Sequence, residues 1–119
     1  MTNPYPGEVW LADLGLAAKT RPVVVVSRYD PDAPRALVLY VPLTTQNRLS
    51  SYEVAILKLN FLERESVANV QGLGSIPIIR LERKLGKLPP DVLTIVKRAL
   101  IDSEHRSSGK KQTVNISTP

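Results

Sequence analysis

Two apolar runs constrain this chain more than anything else in it: Arg21-Pro22-Val23-Val24-Val25-Val26-Ser27 and Arg35-Ala36-Leu37-Val38-Leu39-Tyr40-Val41-Pro42-Leu43-Thr44-Thr45-Gln46. Both are rich in β-branched residues and stay apolar on consecutive positions, so neither can keep one face in water. The pattern predicts strands covered on both sides, as in a small barrel whose sheet also meets a helix or a second subunit. Their flanks are polar. Arg21 opens the first run and Thr44-Thr45-Gln46 closes the second. An arginine and a hydroxyl cluster at the rims of two central strands are suited to one anionic ligand.

The remaining elements fall around these two. Gly7 to Ala12 alternates as a first strand, with Val9 and Leu11 on one face, and Asp13 to Thr20 is a turn-rich connection holding Gly15 and Lys19. Tyr29 to Pro34 has the Asp and Pro content of a turn between the central strands. Tyr52 to Ile56 reads as a fourth strand and Ser66 to Gln71 as a fifth. Gly72-Leu73-Gly74 interrupts the fifth before Ser75 to Ile79 resumes extended structure. Leu81 to Leu85 reads as one helical turn stopped by Gly86. Over Pro89 to Ile101, Val92, Ile95, Val96, Ala99 and Leu100 form an apolar stripe at helical spacing, with Asp91 at the positive end and Lys97 and Arg98 at the other. From Asp102 the chain is polar and reads as disordered. The expectation is one domain over residues 1–101, mainly β with a C-terminal helix, and a tail over 102–119.

Composition removes several chemistries. There is no cysteine, hence no disulfide, thiolate metal site or cysteine nucleophile, and one histidine, His105, in the polar tail. Paired-histidine metal sites, Ser-His-Asp triads and two-histidine ribonuclease chemistry are therefore impossible within one chain. No apolar run reaches the roughly 20 residues a membrane span requires. The polar, Pro-containing start from Met1 to Gly7 does not read as a secretory leader, which suits a cytoplasmic protein. The net charge is +5, and residues 1–101 carry 13 basic and 9 acidic side chains, so the excess belongs to the domain and not to the tail. A basic domain fits a polyanionic partner such as nucleic acid; a basic solvated surface is the plainer alternative.

Gly7-Glu8-Val9-Trp10, Arg21 to Ser27, Val41-Pro42-Leu43-Thr44-Thr45-Gln46, Tyr52-Glu53-Val54, Ser66-Val67-Ala68 and the Arg83 to Leu88 approach to the helix stand in an order and spacing that resembles the MazF/PemK family of toxin–antitoxin toxins. The resemblance covers about residues 7–101. It implies an SH3-like barrel of the CcdB/PemK (MazF) type, a homodimer, and an endoribonuclease that cuts single-stranded RNA without metal or cofactor. A cognate antitoxin protein would mask the RNA groove. In such toxins a 2′-hydroxyl of the RNA attacks its own phosphate, leaving a 2′,3′-cyclic phosphate and a 5′-hydroxyl.

Carried over residue by residue, the resemblance implies Arg21 and Thr44 as the catalytic pair. That chemistry needs no protein nucleophile. It needs a positioned phosphate, stabilisation of charge on its oxygens, and proton transfer. Arg21 has a planar fork for two phosphate oxygens and stays charged, which makes it a stabiliser and a poor base. Around the pair, Lys19, Thr20, Thr45, Gln46, Asn47, Arg48, Asn69 and Gln71 are candidate RNA contacts. The residues allow plainer readings: Arg21 as a surface residue paired with Asp13 or Glu53, Thr44 and Thr45 as ordinary strand ends, Gln46 to Arg48 as a polar loop, and Trp10 as core or dimer packing.

The sequence departs from the family pattern in its acids. No carboxylate lies between Asp13 and Arg21, the connection from Leu14 to Thr20 is short, and Asn69 and Gln71 stand where some members carry an arginine and an aspartate. A nuclease is favoured by the Arg21–Thr44 pair. A non-catalytic binder of the same fold, directed at RNA or gyrase, is favoured by the missing acid. A structural RNA-associated barrel rests on charge and fold class alone.

Overall fold

The computed structural model describes residues 4–15, 20–28, 36–45, 53–56, 59–62 and 65–111, with side chains described through Asp102. Strands run over Glu8–Asp13 (β1), Thr20–Val25 (β2), Leu37–Thr44 (β3), Glu53–Ile56 (β4), Ser66–Asn69 (β5), Gly74–Pro77 (β6) and Leu81–Lys87 (β7), and a helix over Pro90–Lys111 (α1). The strands form one sheet in the order β4-β5-β3-β2-β1-β7, with β6 also paired to β3, and the pairings are antiparallel. The mainly β architecture with a C-terminal helix is the one the sequence predicts.

The two apolar runs become β2 and β3, and the reason for their continuous apolarity is visible. Alternate residues bury into different cores. Val9, Val24, Val41 and Leu43 join Ile56, Ala68, Val70, Leu88 and Val96 on one side, where α1 also packs. Ala12, Val23, Val25 and Val38 join Ile76 and Leu81 on the other. Val23 to Val25 of β2 are covered on both faces, whereas β3 is covered on both only in its second half, Leu37 and Leu39 being exposed.

Gly7 anchors the entry to β1. Its N–H donates to the Val25 carbonyl at 2.7 Å and its carbonyl accepts from Leu88 at 2.9 Å, which ties β2 to the start of α1. Its φ is +92°, and a Cβ there would lie 2.9 Å from Leu93 Cδ2, so only glycine fits.

Several expectations are corrected. Gly74 belongs to β6 and not to the interruption before it, and the extended structure expected through Ile79 ends at Pro77, because Ile78–Arg80 is a 3-10 turn. Leu81 to Leu85 is not a helical turn: it belongs to β7, which pairs with β1 through two irregularities. Val9 pairs with Gly86 but Trp10 with Lys84, leaving Leu85 as an extra residue; Leu11 pairs with Arg83 but Ala12 with Leu81, leaving Glu82 as another. The fifth strand ends at Asn69, because Val70–Gly72 is a 3-10 turn. Strands β5 and β6 together flank β3, and the turn lets the chain bulge outward between them. Finally, α1 continues past Ile101 to Lys111. The apolar stripe stops where the core stops, but the polar residues beyond it include no proline and one glycine, so the backbone ladder propagates. Ile95, expected on the stripe, is exposed at 55%. The expected tail from residue 112 lies outside the described residues. No described helix is long and apolar enough to cross a membrane.

Candidate functional site

The ladder between β2 and β3 pairs Val25 with Tyr40, Val24 with Val41 and Val23 with Pro42. Two steps further along the same register stand Arg21 and Thr44, at the strand ends just past the last paired rung. Alternation carries both to the same face of the sheet. Thr44 is paired on its other side, to Val67 of β5. Arg21 is exposed, pairs through its backbone with Ala12, and takes part in neither of the two ion pairs found among the described residues. Asp13, one alternative partner for it, instead lies 4.0 Å from Arg80 and accepts from the Gly15 N–H at 2.8 Å.

The other expected site residues divide into three groups. Thr20 and Thr45 are exposed beside the pair, Thr20 opposite Asp13 and Thr45 directly after β3. Asn69 shares the face of Val67 and hence of Thr44, one rung further along β5. Its Oδ1 accepts the Gln71 N–H at 3.1 Å, capping the 3-10 turn, and Gln71 is thereby held out on that turn and exposed. The fifth strand thus delivers Asn69 to the face but not Gln71. Lys19, Gln46, Asn47 and Arg48 lie outside the described residues.

Two carriers of charge were not selected from the sequence. Glu53 pairs with Asn69 across β4 and β5, so a half-buried carboxylate stands on the face of Arg21 and Thr44. The sequence offered it only as an ion-pair partner. Arg83 was overlooked because its segment has helical spacing; in β7 it is exposed and pairs with Leu11.

The firmest polar cluster braces β1 against β7. Glu8 is 8% exposed, and its carboxylate accepts from Lys84 Nζ at 3.0 Å, Trp10 Nε1 at 3.0 Å and the Tyr5 N–H at 3.1 Å. Burial alone would raise its pKa. The Lys84 ammonium, the indole N–H and the backbone N–H outweigh burial, and the carboxyl titrates below its ordinary value of 4.5. Trp10 is therefore packing and an indole donor to Glu8, in line with the plainer reading.

Comparison with solved structures finds the same fold repeatedly. An endoribonuclease from a mycobacterial species, solved in complex with its cognate antitoxin, superposes with a TM-score of 0.74 at 25% identity, covering 86% of this chain and 95% of that one. The Mycobacterium tuberculosis toxin MazF-mt6 superposes with a TM-score of 0.72 at 26% identity, over 82% and 96% of the two chains. MazF from Deinococcus radiodurans shares the fold at 23% identity, with a TM-score of 0.72 over 88% and 99%. The sequence profile of the PemK-like, MazF-like toxins of type II toxin–antitoxin systems matches residues 5–103. With that match spanning nearly all of the folded chain, this protein belongs to the PemK-like, MazF-like toxin family of type II toxin–antitoxin systems.

Proposed function

We propose that this toxin is a metal-independent endoribonuclease acting on single-stranded RNA in the cytoplasm, as a homodimer held in check by a cognate antitoxin. The observation that carries the reading is the approach of Arg21 and Thr44 on one face at the open end of two adjacent strands. Similarity to mycobacterial proteins that are endoribonucleases, one of them bound to its antitoxin, supports it.

In this reading the guanidinium of Arg21 and the hydroxyl of Thr44 hold two oxygens of the scissile phosphate. The neighbouring 2′-oxygen forms a bond to phosphorus and gives up its proton, the bond to the 5′-oxygen breaks, and that oxygen takes a proton. A cyclic phosphate and a 5′-hydroxyl remain. Arg21 is a poor base. Glu53 lies two strand spacings from β3, about 10 Å, too far to take the proton directly, so the 2′-proton leaves to solvent.

The dimer is supported by an exposed apolar patch. Leu37 and Leu39, 43% and 45% exposed, pair with the exposed Pro77 and Ser75 of β6 on one face, and Leu73 and Ile79 flank that strand. Self-association in a closed pair would bury it.

The deciding experiment incubates the purified protein and its Arg21→Ala variant with a long single-stranded RNA in excess EDTA and maps the ends. Discrete cuts by the wild type, each with a 5′-hydroxyl, and a loss of about 10²–10³ in rate for the variant are expected. RNA that is bound but never cut by the wild type would replace this reading with that of a non-catalytic binder.

A further inference from the structure

Strand ends at the Arg21 rim have two faces, and the second carries a groove that the chemistry above does not use. Leu11, Pro22, Phe61, Leu62 and Leu85 line it with apolar surface, and Thr45, Ser66 and Arg83 add polar groups, around a volume of about 460 Å³. Pro22 follows Arg21 and Thr45 follows Thr44, so the groove begins where the phosphate site ends, across the thickness of one strand end.

Two features aim side chains into it. The first is the pair of irregularities in β7. They leave Arg83 and Lys84 as a two-residue register between them, with Arg83 beside Leu11 at the groove and Lys84 beside Trp10 on the opposite face, where Glu8 engages it. The guanidinium of Arg83 belongs to no ion pair found among the described residues. The second is Gly86. A Cβ there would run into the Phe61 ring, so the missing side chain lets that ring pack against β7.

The geometry points to a nucleotide-binding subsite: the groove takes the base of the nucleotide adjoining the scissile phosphate, stacked on Phe61, with the following phosphate on Arg83. An aromatic face beside a guanidinium and hydroxyl groups is what an unstacked base and its phosphate require. The chain's net charge of +5 favours the same polyanion. RNA bound at Arg21 then folds over the rim between Thr44 and Thr45 instead of continuing along one face. This rests on the nuclease reading, which places the scissile phosphate.

The test uses an RNA containing a mapped cleavage motif and a set of copies in which one flanking nucleotide at a time is an abasic riboside. Cleavage efficiency is measured, and affinity is read by anisotropy on copies carrying a 2′-deoxyribose at the cut, which cannot react. One abasic position should cost the wild type at least about fivefold in affinity, the lower bound for a lost base–aromatic stack. Arg83→Ala and Phe61→Leu should bind intact RNA correspondingly more weakly and be insensitive to that position. Equal abasic penalties in wild type and variants would overturn the subsite, as would variants that lose antitoxin affinity while binding RNA normally. If the wild type cuts no RNA, the nuclease reading falls separately, and the groove is judged by whether Arg83→Ala weakens binding of an unstructured polypyrimidine RNA. Unaltered binding there would end the proposal too.

Discussion

Glu8→Gln isolates the charge of a nearly buried carboxylate while keeping its shape. In the native chain one oxygen, Oε1, accepts from both Trp10 and the Tyr5 backbone, and the other, Oε2, faces Lys84 Nζ at 3.0 Å. A glutamine can preserve the first oxygen but must present an amide N–H₂ to the ammonium, replacing attraction with two opposed donors. A hydrogen bond to a charged group contributes about 1.5–3 kcal/mol. Lys84 is half exposed, so solvent screening brings the expected loss to about 1–2 kcal/mol. For a domain of this size that lowers Tm by roughly 4–8 °C. Glu8→Ala, which also strands the indole and backbone donors, should lose about 2–4 kcal/mol.

The pH dependence follows from the direction of the shift. Folded Glu8 releases its proton more readily than unfolded Glu8, whose ordinary value is 4.5. Above that value both forms are ionised and the stabilisation is complete. As pH falls through and below it, the unfolded chain takes up a proton that the folded chain resists, and the contribution fades until the folded carboxyl is itself protonated. Urea unfolding of wild type and Glu8→Gln at neutral pH, pH 5 and pH 3 should therefore show a gap at the first two and a narrowed one at the third. A gap of constant size down to pH 3, or none at neutral pH, would refute the role of the ionised carboxylate.

Two more outcomes are expected. Gly86→Ala should displace the Phe61 ring and destabilise by about 1–3 kcal/mol, read by urea unfolding, and Phe61→Leu in the same chain should recover part of the loss; an unchanged midpoint for the single variant would show that the ring does not rest on Gly86. Leu39→Lys places a charge in the exposed patch of β3 and β6 and should shift the mass measured by light scattering from dimer to monomer with little change in secondary structure; an unshifted dimer would remove that patch from the subunit contact.

The central strands were legible because runs of consecutive β-branched and aliphatic residues leave an unmistakable composition, whereas Arg21 and Thr44 were singled out as a pair by the family resemblance and not by their strand positions. Strand β7 was not. Two extra residues, Leu85 and Glu82, break its period of two, and Leu81 and Leu85 with charges between them imitate a helical turn before a capping glycine. Pairing with β1 overrode that local preference, and Arg83 went unnoticed as a consequence. Gln71 was misplaced for a related reason: Asn69 fits a strand position equally well as it fits the cap of a tight turn, and only the pairing of β6 with β3 distinguishes the two. The end of α1 escaped because amphipathic periodicity reports where a helix is buried, not where it stops.

The two irregularities in β7 also bear on solubility. The chain holds two segments, Val23 to Val26 and Leu37 to Val41, of the kind that assemble into intermolecular β-structure when exposed. In the sheet they occupy the centre, and the ends of its order are β4, only four residues long, and β7. The edge formed by β7 is bent twice, lined by Glu82, Arg83, Lys84 and Lys87, and so a poor template for another strand. The most aggregation-prone part of this toxin is thus held in the middle of a sheet that ends, on one side, in its least regular strand.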